Sequence, residues 1–123
     1  HRTDVRDAVE QAFPDADKKE LNNLMERIGK NYAQYGETDT KQIIKNIKNA
    51  NKLSQNHGFD KDIADKQIRL INKQRSKLKE EGLLGKVLSN DAEKDNWARQ
   101  MSGGDATKTQ QYGALIDMMR EIR

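Results

Sequence analysis

The sequence predicts an all-α fold, a single-domain bundle of about six helices with a central basic αα-hairpin. Three observations predict it. Apolar residues recur at three- and four-residue spacing along most of the chain, while no stretch alternates with period two and β-branched residues never cluster. Helix-capping residues stand ahead of these runs, several of them three positions before Glu or Gln. Glycine or proline stands where most of the runs stop. Periodicity has to carry this reading, because 123 residues with 33% hydrophobic and 35% charged side chains lie near the composition of disordered chains.

Taken in order, Thr3 is a good N-cap for a helix over about 4–13, with Val5, Ala8, Val9, Ala12 and Phe13 at helical spacing and Pro14 as its stop. Asp17 with Glu20 opens a second helix over 18–35, lined by Leu21, Leu24, Met25, Ile28, Tyr32 and Tyr35 and ended by Gly36. Gly29 inside it costs up to about 1 kcal/mol relative to alanine, as a close helix crossing would justify. Asp39 and Gln42 open a third helix over 40–56 with Ile43, Ile44, Ile47, Ala50 and Leu53 on one face. Asp60 caps a fourth over 61–81, lined by Ile63, Ala64, Ile68, Leu70, Ile71 and Leu78 and closed by Gly82. Leu83 to Leu88 reads as a linker or a single turn. Asn90 with Glu93 starts a helix over 91–101 whose one large apolar anchor is Trp97. After Ser102, Gly103 and Gly104, a last helix over 108–122 carries Tyr112, Leu115, Ile116, Met119 and Ile122 on one face. Met118 stands off that stripe, as an exposed contact would, and this helix has the form of an amphipathic ligand for a partner.

Composition bounds the function. Zero cysteine excludes a disulfide scaffold, a thiolate zinc site and a cysteine nucleophile. A mean hydropathy of −1.10 and the lack of long apolar runs exclude a membrane-spanning helix. The chain starts with His1, as a fragment or processed product would. A cytoplasmic protein, or one delivered into a cytoplasm, is the expectation most compatible with the missing cysteine.

Charge is more informative than its sum. The net charge of +3 divides into −3 over residues 1–26, +8 over 27–79 and −2 over 80–123. Lys41, Lys45, Lys48 and Lys52 fall within an arc of about 60° on the third helix, opposite its isoleucines. Lys66, Arg69, Lys73 and Lys77 make a second stripe on the fourth helix, with Arg75 and Lys79 beside it. Like charges at i,i+4 cost a helix roughly 0.2–0.5 kcal/mol per pair. A polyanionic partner is one reason to carry that cost, and a solvated helix face is the plainer one. Lysine exceeds arginine in these stripes, which suits neutralising a phosphate backbone more than reading bases. Asn46, Asn49, Asn51, Gln55 and Asn56 could bond bases or sugars, but read more simply as neutral surface. Two long basic helices fit a helix-turn-helix reader poorly, because its first helix is short and packs on the second.

For chemistry, His57 is the one internal histidine, in the turn between the two basic helices. An imidazole among cations suits general acid–base cleavage of a phosphodiester, and Asp60 three residues on would orient it. The plainer reading is an exposed turn histidine before a capping glycine. No metal or cofactor motif is complete. Asp60, Asp62 and Asp65 lack the glycine and glutamate of a calcium loop. Asp91, Glu93 and Asp95 suit a helix N-terminus better than magnesium. Thr107 stands where a phosphate loop needs glycine before its lysine. Trp97, Tyr112, Met101 and Met119 read as core.

The sequence thus leads to a small binding module whose basic hairpin engages RNA or DNA backbone. The alternative is a non-enzymatic effector or inhibitor binding an acidic protein surface. A second alternative is a metal-independent ribonuclease toxin domain using His57.

Overall fold

A computed structural model describes residues 2–35 and 39–122, with the side chains of residues 2, 3, 34 and 35 outside that description. The described residues form seven helices and no strand: α1 (Arg2–Ala12), α2 (Lys18–Tyr35), α3 (Thr40–His57), α4 (Lys61–Glu80), α5 (Leu84–Ser89), α6 (Asp91–Ser102) and α7 (Ala106–Glu121). The fold is all-α, as the periodicity predicts.

The caps act as their spacing implies. Asp17 Oδ1 accepts from the Glu20 amide at 2.9 Å, Asp39 Oδ1 from Lys41 at 3.0 Å, Asp60 Oδ1 from Ile63 at 2.9 Å and Asn90 Oδ1 from Glu93 at 3.1 Å. Each satisfies an amide that the first helical turn leaves without a partner. Asp105 does the same for α7 through the Lys108 amide at 2.8 Å, so the stretch compared with a phosphate loop is a helix cap. Gly82 and Gly103, at φ +71° and +63°, follow α4 and α6 in the left-handed region that ends helices at low steric cost. The side chains of Thr3 and Tyr35, and the Gly36 stop, lie outside the described residues.

One segment departs from the sequence reading. The supposed linker is helix α5, which makes seven helices rather than six. Six residues are too few to display a period. Buried Val87 anchors this helix, and Arg120 Nη2 donates to the Val87 carbonyl at 2.9 Å. Tertiary contact supplies what local propensity lacks.

The chain divides into two compact units, residues 1–48 and 49–123. The first buries Val9 from α1, Leu24 and Ile28 from α2, and Ile43, Ile44 and Ile47 from α3. Phe13 and Tyr32 pack at its margin. The Tyr32 and Thr40 hydroxyls share a hydrogen bond, and Asn31 Nδ2 donates to the Arg27 carbonyl at 2.8 Å. Gly29 marks no helix crossing: it is exposed, and nothing lies within 4 Å of where its Cβ would stand.

The second unit centres on Ala50 and Leu53 of α3, Ile68, Ile71 and Leu78 of α4, Val87 of α5, Trp97 of α6, and Ile116 and Met119 of α7. Trp97 meets Tyr112 edge to face, with ring centroids 5.4 Å apart. Arg120 ties three helices: besides the Val87 carbonyl it bonds Asp91 through Nη1 at 2.7 Å, while Lys94 reaches Asp117 at 3.2 Å. The hydrogen bond and charge of Arg120, with the charge of Lys94, hold the Asp91 carboxyl below its ordinary pKa. Some apolar expectations reverse here. Met118, expected at the surface, is buried, whereas Ile63 and Leu70, expected on the α4 core face, are 44% and 47% exposed, and Met101, also read as core, is exposed with them.

Gly29→Ala is expected to raise stability by about 0.5–1 kcal/mol, through helix propensity alone, as read by denaturant titration. For Asp91 the folded pKa lies below the unfolded value of about 3.9, so its contribution is present above that pH and lost as pH falls through the folded value. Asp91→Asn should therefore melt lower than the parent at pH 7. The gap should close as pH is taken from about 4 downward, and an unchanged gap at pH 2 would contradict the assignment.

Candidate functional site

The side chains of α4 change character in order around its axis. Taking Ile71 as the centre of the buried arc and about 100° per residue, Gln67 and Gln74 stand roughly 40–60° to one side. On the same side Ile63 and Leu70 follow at roughly 80–100°, then Lys77, Lys66 and Lys73 at roughly 120–160°. Core, amides, exposed apolar side chains and lysines thus form four adjacent strips on one helix.

All three lysines are exposed, and none forms an ion pair among the described residues. Arg69 continues the stripe and is half-buried. Arg75 leaves it: it lies on the core side of α4, where burial pulls its pKa below the ordinary value and Nη2 is enclosed without a hydrogen-bond partner among the described residues. Lys52 is exposed on the second-unit half of α3. Lys41, Lys45 and Lys48 are exposed in the first unit, with Lys48 Nζ 5.5 Å from the centre of the Phe13 ring. Of the Asn and Gln residues on α3, Asn49 is buried and Gln42 donates to Asn46 Oδ1 at 2.9 Å.

Beside the apolar strip of α4 runs a groove of about 600 Å³. Gln67, Leu70 and Gln74 form its α4 wall, and Lys108, Gln111, Tyr112, Ala114, Leu115 and Met118 its α7 wall. Phe59, Met101 and Ser102 complete the lining. Leu115 and Met118 are buried within it, while Leu70 and Met101, the latter 39% exposed, stand open to solvent. Lys108 is the one Lys, Arg, Asp or Glu side chain in this lining, and no carboxylate shares it. Sequence reasoning missed the groove because its two walls are about forty residues apart. The signal that could have found it is Leu70, too far around α4 from Ile71 to share one buried stripe.

His57 follows a different course from the one its neighbours in sequence imply. Its Nε2 meets Glu121 at 2.8 Å, and its ring stacks on Phe59 at 5.3 Å. The carboxylate bonded to the imidazole therefore comes from the end of α7, while Asp60 is engaged by the Ile63 amide. The pair is a tether between the ends of α3 and α7. Among the described residues no three His, Asp or Glu side chains come together as metal ligands.

Fold and surface together define a small all-α protein with an unpaired lysine stripe beside an apolar groove, and with no described helix long and apolar enough to cross a membrane. Comparison with protein-family models, curated proteins and solved structures finds no match to this chain.

The two carboxylates near His57 separate by experiment. Asp60→Ala should cost about 0.5–2 kcal/mol as a lost N-cap and leave the His57 ring resonances in place. Glu121→Ala should shift those resonances with a smaller loss of stability, because the pair is only partly buried. The reverse pattern would assign the orienting role to Asp60.

Proposed function

We propose that this protein is a non-enzymatic helical binding module that takes an acidic partner protein on the lysine-bearing edge of α4. One observation carries the reading: Lys66, Lys73 and Lys77 are exposed and unpaired beside the exposed Ile63 and Leu70. Two other cations of the second unit are used internally, Arg120 on Asp91 and Lys94 on Asp117. The α4 lysines have no such duty, although like charges along a helix disfavour it.

A phosphate backbone and an acidic protein would both neutralise these lysines. What favours the protein is the adjoining strip. Phosphates gain nothing from exposed leucine and isoleucine, whereas apolar contact flanked by charge is how protein interfaces are built. Of the basic hairpin expected from sequence, this reading uses the α4 stripe.

The test compares an acidic, leucine-containing peptide with single-stranded RNA of equal charge at 50 and 200 mM salt. The peptide should bind more tightly, weaken as salt rises, and lose at least tenfold in affinity on K66E/K73E. Tighter binding of the RNA, with a steep salt dependence, would replace this reading by the nucleic-acid one.

A further inference from the structure

We infer that the groove between α4 and α7 is the seat of an amphipathic helix from the acidic partner, with its apolar face in the groove and its carboxylates toward the α4 lysines. The inference rests on the reading of α4 as an acidic-protein edge and adds the form of the ligand.

Three features select a helix. The walls of the groove are themselves helices, so they offer no sheet edge to which an extended peptide could add a strand. An extended peptide would bring unpaired backbone amides against Leu70, Leu115 and Met118, whereas a helix arrives with its backbone bonds already made. The α7 wall runs from Lys108 to Met118, about 15 Å at helical rise, which matches two to three turns of a ligand with apolar residues at i, i+3 or i+4, and i+7. Methionines at 101 and 118 suit such a surface, because their flexible thioethers adapt to irregular apolar shapes.

Charge selects the sign and excludes a second copy of this chain. Lys66, Lys73 and Lys77 flank one side of the apolar strip over about 16 Å, and Lys108 stands on the opposite wall. A ligand helix with carboxylates on its flanks meets both. In a two-fold contact the same lysine-edged surface would face itself, and like charges would oppose one another.

The experiment uses the whole chain and two 15-residue peptides of identical composition. In one, leucines recur at i, i+3 and i+7 with glutamates on the flanks. In the other, the order is shuffled so that no apolar face forms. The single tryptophan reports directly, since Trp97 packs on Tyr112 and Tyr112 lines the groove. The ordered peptide should change Trp97 fluorescence and bind at least tenfold more tightly than the shuffled one. Leu70→Gln and Met101→Gln, both at exposed positions, should each remove much of that advantage. Equal affinity of the two peptides, both lost on K66E/K73E, would overturn the groove inference and keep the acidic-partner reading. Binding of neither peptide, or tighter binding of RNA of equal charge, would overturn both.

Discussion

A helix whose apolar residues cover a wider arc than its neighbours can enclose must leave some of them in water, and α4 is under that constraint. Its buried face is complete with Ala64, Ile68, Ile71 and Leu78. Ile63 and Leu70 stand a quarter-turn away, beyond the buried Gln74. Fully burying a side chain of this size is worth roughly 1.5–3 kcal/mol, so two of them left open represent a stabilisation the unit forgoes. Scattered exposed leucines are ordinary on protein surfaces. Leu70 lines a groove floored by Leu115 and Met118, and that juxtaposition sets it apart.

Electrostatics divides the second unit in the same way. Around α5, α6 and α7 several polar side chains have structural tasks. Arg120 closes the Val87 carbonyl and Asp91, Lys94 bridges toward Asp117, and His57 meets Glu121. These contacts are partly exposed and individually modest, but they connect segments far apart in sequence. The α4 lysines are tied to nothing in the described structure. Surface charge of this kind steers encounter and rejects wrong partners more than it adds affinity, while the apolar strip supplies the part of binding that salt does not screen. A lysine row alone would take any polyanion; the proposed partner is one that the adjoining apolar groove would distinguish from the rest.

What the sequence disclosed follows the range of the interaction. Caps act over three residues, so Asp17, Asp39, Asp60 and Asn90 are legible one by one, and so are the helices they open. Helix α5 is not, because its six residues are held by Val87 and by an arginine thirty-three positions away. The core was legible where one helix face is unambiguous, as in α3, and failed at its edges. Leu70 and Met118 differ only in whether a neighbour covers them, and a single helix carries no record of its neighbours. His57 and Glu121 are sixty-four residues apart, so the nearby Asp60 was the natural but mistaken companion. The exposure of the lysines on α3 and α4 was legible, since a face opposite a core needs no tertiary knowledge, whereas the half-burial of Arg69 and Arg75 was not.

The two lysine groups differ in what surrounds them. In the first unit Lys48 lies over the Phe13 ring, and the helix face opposite Lys41 and Lys45 is spent on Ile43, Ile44 and Ile47. Among the exposed large apolar residues, Ile63, Leu70 and Met101, all belong to the second unit. Lysines 41, 45 and 48 therefore have charge to offer a partner and little besides, which makes them sensitive to salt and indifferent to shape. The α4 lysines share their helix with apolar side chains that water does not reward. Charge and unburied apolar surface coincide at the edge of α4 on the described surface, and the proposed acidic partner is placed there for that reason.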